Sequence, residues 1–345
     1  MPATSDAVTV IGGGVIGLSC AYKLARSGYG VTLYHHQPLD ETASGNAAGA
    51  LKPFDALQTG WKQKLQQQSL WQYPDFLNEL QKDSGIDVGF NRCGRVAVFN
   101  RPAGFEKAQK AAKAANQKWP FNPAQKPLNH NELLEYTPNV EEGAVGGIYC
   151  HATGTFSPAK LLGALVQACK SLGVKFIEKE LITLPNTRPL VVAAGAFTEK
   201  LLPQVQVKPI KRQAVLLERP FNAPLEHIIE NGQVYLVPWH EGEAIYVGST
   251  FEPDAGFDNT PTPEAEQQLR ADASRLFPEL ETARLLEQFS GLQSRGYGEG
   301  STLKLGPVQG FDGVFVAAGH GGVGYCMAPV TADEILRPIR TYFKA

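Results

Sequence analysis

Apolar positions cluster first at Ala7–Ile11, a short unbroken run that predicts a buried strand. From Val15 to Ser27 they recur at helical spacing, and Gly28 follows where a helix end favours glycine. Val31–Tyr34 is a second apolar run, so the chain opens as a βαβ unit. Helical patterns return at Trp61–Asp83, with an interruption expected near Pro74, at Phe105–Lys118 and at Glu132–Tyr136. Ser157-Pro158 reads as an N-cap followed by proline at the first helical position, launching Ala159–Leu172. Leu190–Ala193 is a β run that ends at Gly195. Between Val207 and Thr250 short alternating segments (QAVLLE, HIIE, VYLVPW, AIYVGST) predict an antiparallel sheet. Thr262–Leu276 is helical, Val314–Ala317 is a strand, and a glycine-rich turn then leads into a helix to about Ile335.

The 345 residues are 43% hydrophobic and 19% charged, the balance of an ordinary globular chain with a sizeable core. A net charge of −2 gives no global attraction to nucleic acid or to an anionic membrane. The opening MPATSDAVTV lacks a basic stretch followed by an apolar run, so no secretory leader is expected. No uninterrupted apolar run approaches the about 18 residues of a membrane-spanning helix. Cys20, Cys93, Cys150, Cys169 and Cys326 are scattered and form no CxxC pair. Zinc and disulfides are therefore not expected, no other metal site is expected, and a reduced cytoplasmic setting fits best.

Gly12, Gly14 and Gly17, with Val15 and Ile16 between them, match G-x-G-x-x-G in the required context of strand, turn and helix. The first glycine permits the tight turn, the second lets backbone approach a pyrophosphate, and the third lets helix pack on strand. The helix N-terminus then offers free N–H groups to an anion. The acid that would hold a ribose belongs at position 35, where His35 stands beside His36. A neutral imidazole accepts one hydrogen bond, so the pair forms either a weaker ribose clamp or two surface histidines. Two further segments favour a flavin over a nicotinamide. ETASGNAAGALKPF lets backbone pass beside a flat ring, with Ser44 and Asn46 able to reach phosphate or ribose. VFVAAGHGGVGYCMAP is another strand, glycine turn and helix, whose N-terminus suits the anion formed on flavin reduction. The expected fold class is α/β: a Rossmann-like FAD-binding domain of separated segments (1–60, 146–200 and 288–345) plus an α+β substrate domain (61–145 and 201–287) with a largely antiparallel sheet.

Together VIGGGVIGLSCAYKLARSGYGVTLY, TASGNAAGAL, GTFSPAKLLGALVQACKSLGV, LVVAAGAFTEKLLP, YLVPW, IYVGSTFEPDAGFDNTPTPE and AAGHGGVGYCMAP make the chain resemble the flavin-dependent D-amino-acid oxidase superfamily, especially glycine oxidases and D-amino-acid dehydrogenases. The resemblance runs over nearly the whole chain. It implies noncovalent FAD lying against Ala48, Gly49, Ala50 and Leu51 and against Gly319, His320, Gly321, Gly322, Val323 and Gly324, with Ala194 and Gly195 near the dinucleotide. It also implies oxidation of a C–N bond by hydride transfer to flavin N5, in a small amine or amino acid, with O2 or another acceptor reoxidising the flavin. The family's carboxylate-binding arginine lies in a G-L-R-P segment. Here the segment reads GLQSRG, so Gln293 takes that place and Arg295, two residues on, shares its strand face. The active-site tyrosine matches at Tyr235, and the histidine two residues before it is Gln233 here. Gly321-Gly322 replace a bulkier closing loop, leaving the site less cationic than the family's norm.

TASGNAAGALKP also resembles the flavin oxidase half of a bacterial tRNA-uridine modifying enzyme, and Lys107, Lys110 and Lys113, with Lys118 and Lys126 beyond, repeat as a basic series. A solvated helix face is the simpler reading of those lysines. A macromolecule-linked amine and a flavin-binding accessory protein without turnover thus stand beside the amine oxidase reading. A homo-oligomer remains open.

Overall fold

The computed structural model describes residues 6–36, 38, 41–51, 60–118, 125–239, 242–298 and 302–344. The first half runs β1 (Ala7–Ile11), α1 (Val15–Arg26), β2 (Gly30–His35), β3 (Ala50–Leu51), α2 (Trp61–Ser84), β4 (Arg95–Phe99), α3 (Pro102–Lys118), β5 (Gln125–Asn129), α4 (His130–Tyr136), β6 (Gly146–Cys150), β7 (Gly154–Thr155) and α5 (Pro158–Ser171). The second half runs β8 (Lys175–Glu178), β9 (Leu190–Val192), α6 (Thr198–Leu201), β10 (Val207–Glu218), β11 (Ile228–Glu230), β12 (Tyr235–Trp239), β13 (Ala244–Gly248), α7 (Pro263–Leu276), β14 (Leu285–Gly296), β15 (Lys304–Pro307), β16 (Val314–Ala318) and α8 (Gly324–Tyr342).

Two large sheets organise these elements. The six-stranded sheet has the order β15-β16-β9-β1-β2-β8 and is parallel except for β15. Its central strands are buried almost throughout, as parallel strands covered on both faces must be. Helices α1, α5 and α8 pack together over it, sharing a core that includes Leu18, Leu161, Leu165 and Ile335. The eight-stranded sheet has the order β14-β10-β13-β12-β11-β4-β6-β5, antiparallel except where β11 meets β4. Helix α7 covers one face of it through Leu269, Ala273 and Leu276. The expected α/β class, with a Rossmann-like part and a largely antiparallel part, is what the chain forms.

Several elements depart from the sequence pattern. Helix α2 continues through Pro74 instead of breaking there. Pro74 is exposed, so water can satisfy the carbonyl left without its N–H partner, while Tyr73, Leu77 and Leu80 anchor the helix in the core of α1 and α8. The final helix reaches Tyr342, past the expected end, through Pro329 and Pro338. The expected boundaries at 146 and 288 cut across sheet membership. β6 pairs with β4 and β5, and β14 pairs with β10 along its whole length, so both lie in the eight-stranded sheet. Conversely α2, placed with the substrate segments, shares the core of the six-stranded side. These pairings join residues far apart in the chain, which local periodicity does not register. No described helix is long and apolar enough to cross a membrane.

Candidate active site

Four strands of the six-stranded sheet, β1, β9, β16 and β2, end at one cavity of about 480 Å³, lined across from them by the eight-stranded sheet. Carboxyl ends of parallel strands are where α/β proteins hold ligands, because helix N-termini and unpaired turn amides collect there.

The front turn is fixed by contacts that leave no room for side chains. A Cβ at Gly12 (φ +121°) would lie 2.2 Å from the Ala193 carbonyl oxygen, and one at Gly17 would lie 1.9 Å from the Gly12 oxygen. These two glycines let β1, α1 and the end of β9 meet backbone to backbone. Gly14 differs: a Cβ there would project toward the cavity, its nearest neighbour the Ser44 hydroxyl at 3.2 Å. Gly14 is the N-cap of α1, and no side chain of the cap covers the first turn. A helix N-terminus opening on a cavity through a glycine is a cradle for a pyrophosphate. Val15 N–H donates to Ser44 Oγ at 3.0 Å, which leaves the hydroxyl proton free to donate to a ligand.

The 42–49 loop is tied on both sides. Tyr325 of α8 donates its hydroxyl to the Ser44 carbonyl at 2.8 Å, and Tyr246 of β13 donates to the Asn46 carbonyl at 2.8 Å. Asn46 Nδ2 donates to the Ser290 carbonyl at 2.6 Å, so this side chain braces the loop rather than reaching for phosphate. Ala48, Gly49 and Ala50 line the cavity, while Leu51 turns into the core. A Cβ at Gly49 would meet the Phe156 carbonyl at 2.1 Å. On the opposite rim Ile16, Ala194, Gly195, His35 and His36 line the cavity, with Lys179 beside them. Lys179 N–H donates to the His35 carbonyl at 2.7 Å. The His36 ring packs edge-on against Phe197.

In the closing turn His320, Gly321, Gly322 and Gly324 line the cavity, while Gly319 and Val323 stand behind it. Gly319 N–H donates to Ser294 Oγ at 3.1 Å, which joins this turn to β14. His320 is buried, with Nε2 3.0 Å from Thr331 Oγ1. Burial, then the nearby Lys62 ammonium, pushes its pKa down to about 3, so the ring is held neutral. The Cys326 thiol is buried, 3.9 Å from the Ala50 carbonyl.

The wall contributed by the eight-stranded sheet carries Gln233, Tyr235, Tyr246, Arg212 and Gln293. Gly248 leaves space for the Tyr235 ring, since a Cβ there would lie 2.6 Å from the Tyr235 hydroxyl. Tyr235 stacks on Tyr246, which stacks in turn on Trp239 and Phe289. Burial raises the pKa of Tyr246 well above that of a free phenol, so it stays a donor. Gln293 faces Gly322, whose Cβ would sit 3.7 Å from the Gln293 amide. Arg295 is placed differently. It shares the face of Gln293, but two residues along a strand are about 6.7 Å, which carries it past the cavity rim. It is exposed and outside the lining, its guanidinium 5.9 Å from the Phe251 ring centre. Arg212 and Tyr246 line the cavity without having been singled out in the sequence. The signal for Arg212 was a charged residue on the same strand face as Ile210 and Ala214, both buried. No Asp or Glu is among the described residues that line the cavity.

A family model described as FAD dependent oxidoreductase matches residues 7–337. The bifunctional protein ThiO/ThiG of Synechocystis sp. is 31% identical over 360 aligned positions, covering 97% of this chain and 51% of that protein. The chain thus spans about half the length of that relative. The glycine oxidase of Pseudomonas aeruginosa is 26% identical over 356 positions, covering 95% of this chain and 93% of that protein. The crystal structure of glycine oxidase from Geobacillus kaustophilus superposes with a TM-score of 0.88 at 24% identity, covering 98% of this chain and 95% of the other.

Proposed function

Because the chain belongs to the FAD-dependent oxidoreductase family, we propose that it oxidises the C–N bond of a small amine or amino acid to an imine. The residues present fit the cofactor. Gly14 at the start of α1 suits the pyrophosphate, the Ser44 hydroxyl has a proton to offer it, and the small residues Ala48–Ala50 and the turn around Gly321 leave room for a flat ring. When bound, FAD supplies the two-electron acceptor for the hydride that leaves the carbon beside the nitrogen. The chain's part is to hold the substrate, to exclude water and to keep the amine unprotonated. Tyr235, Tyr246 and Gln293 give one wall aromatic surface and neutral polar groups. A wall without carboxylates gives an ammonium ion no partner, which favours the neutral amine that can be oxidised. The neutral His320 adds no positive charge.

The observation that carries this reading is the convergence of the front turn, the 42–49 loop and the closing turn on the cavity that Tyr235 and Gln293 also line. The test is an anaerobic titration of the yellow protein with a library of amines and amino acids. Bleaching of the flavin band by a free small amine or amino acid is expected; tight FAD binding with no bleaching across the library would refute the proposal.

A further inference from the structure

We infer that Lys62, at the start of α2, is the positive charge that favours the reduced, anionic form of the cofactor, and so sets how readily the flavin takes up electrons. The amine substrate proposed above does not enter, because chemical reduction reads the effect without it.

Lys62 is the second residue of α2, whose N-cap is Gly60 and whose first turn holds no acid. Its side chain is half-buried, and Nζ donates to the carbonyl of His320 in the closing turn, at 3.4 Å. Leu65, one turn further on, packs with Met327 and Val330 of α8 and against Val323, so this face of α2 lies on the closing turn and on the start of α8. The first turn of α8 likewise holds no acid. Arg295 comes to the same place, its backbone bridged to His320. No described carboxylate pairs with Lys62, and no Asp or Glu is among the described residues that line the cavity. Burial, then the charge of Arg295, pulls the Lys62 pKa below that of a free lysine. Its charge is felt in the cavity wall, where it adds to burial in holding His320 neutral.

Three features disfavour a cation at this position: partial burial, the positive end of a helix, and a second cation nearby. An acid would serve the helix better. A charge kept against its local cost, beside a cofactor site, points to a negative charge that is present only in the working protein. The anion formed on two-electron reduction of the flavin is such a charge. Lys62 does not itself line the cavity, so it acts through its field and not by contact. Contact is not required: at an effective dielectric constant of about 20, a unit charge shifts an equilibrium about tenfold from about 12 Å away.

The experiment compares wild-type holoenzyme with Lys62→Arg, Lys62→Met and Lys62→Glu, each reduced anaerobically with dithionite beside a reference dye. At a fixed potential, and at a pH where the reduced flavin is anionic, the ratio of reduced to oxidised flavin should fall about tenfold in Lys62→Met, equivalent to about 30 mV for two electrons. It should fall about 100-fold in Lys62→Glu and stay within about threefold of wild type in Lys62→Arg. The pH at which the reduced flavin takes its second proton, read from its absorbance, should rise by about one unit in Lys62→Met. The apoprotein Tm should not fall in Lys62→Met or Lys62→Glu, because an unfavourable charge has left the helix start. A lysine with only a structural role gives the reverse: a lower Tm with the ratio and the proton uptake unchanged. Wild-type ratio and proton uptake in Lys62→Met, or in Lys62→Glu should the first variant lose FAD, would overturn the inference, as would an equal loss in Lys62→Arg. If no compound of the amine library bleaches the protein, the proposed function fails, whereas the dithionite titration still decides the role of Lys62.

Discussion

Gly14→Ala and Gly17→Ala separate the demands of the cofactor from those of the fold. Gly14 has φ −76° and ψ 176°, ordinary extended backbone, and a Cβ there meets only the Ser44 hydroxyl, at 3.2 Å. Where the backbone is compatible, glycine to alanine stabilises by about 0.4–1 kcal/mol through the unfolded chain. Displacing the hydroxyl by a few tenths of an ångström costs about as much, so Gly14→Ala should keep the apoprotein's Tm within about 4 °C. The added methyl group nevertheless projects toward the cavity where a pyrophosphate must approach. FAD at about 100 times its Kd stabilises the native state by about 2.7 kcal/mol, and Gly14→Ala should lose most of that increment. At Gly17 the added Cβ would be 1.9 Å from the Gly12 carbonyl oxygen, far inside the 3.0 Å that real Cβ atoms respect. Backbone faces backbone there, so α1 must move off β1, which costs about 3 kcal/mol or more before any cofactor is added. Thermal unfolding of both variants, with and without FAD, and the flavin absorbance of the purified proteins read these effects separately. Wild-type FAD affinity in Gly14→Ala would refute the placement of the pyrophosphate. A Gly17→Ala apoprotein as stable as wild type would refute the close-approach argument.

Tyr325→Phe removes the donor to the Ser44 carbonyl and should cost about 1–3 kcal/mol in chemical denaturation, with a faster release of FAD measured by flavin fluorescence. His320 has a folded-state pKa of about 3 against 6.5 for the free side chain, so between those values the unfolded chain binds the extra proton. The stability it contributes is complete above 6.5 and is lost as pH falls toward 3, by up to about 1.4 kcal/mol per pH unit. His320→Gln, which can still bond Thr331, should flatten the pH dependence of urea unfolding over that window; parallel curves would contradict a neutral buried imidazole. Lys107, Lys110 and Lys113 are exposed on α3, and reversing all three to glutamate should leave turnover of a free substrate unchanged. Lost turnover on an RNA-linked amine alone would move the substrate to the macromolecular class. Lys126 already pairs with Glu132 at 3.5 Å, and the Lys118 side chain lies outside the described residues.

The glycine turns could be read from sequence because each is a local object. A turn, a helix start and a strand end are set by neighbouring residues, and those around Gly12 and Gly319 specify all three. What could not be read depended on distant partners. β14 shows no clean alternation, its burial running irregularly along LLEQFSGLQSRG, because it is an edge strand with β10 as its one neighbour in the sheet. β6 opens with two glycines and looks like a turn. A Cβ at Gly146 would meet the Leu128 carbonyl and the Phe105 ring at 2.6 Å, so the glycines there serve close packing within a sheet. The same blindness affected the site: Gln293, Tyr235 and Gln233 were recognised from motif matches, and Arg295 from an offset along a strand. The guanidinium that reaches the cavity is Arg212, brought there by pairing with β14 opposite Gly291.

The 42–49 loop explains how a site split between two sheets keeps one shape. Two of its hydrogen bonds run to the helices of the six-stranded side, from Val15 N–H to the Ser44 hydroxyl and from the Tyr325 hydroxyl to the Ser44 carbonyl. Two run to the eight-stranded sheet, between Asn46 and Ser290 and between the Tyr246 hydroxyl and the Asn46 carbonyl. The two sets are anchored only two residues apart, so the distance between the glycine turns and the wall that carries Arg212 is fixed by one short, braced segment. Bulk in this loop would open that distance. A Cβ at Gly291 would already lie 3.2 Å from the Ala43 backbone, and Gly49 has no space for one at all. The small residues of the loop therefore keep the glycine turns and the wall of the eight-stranded sheet close together on either side of the cavity.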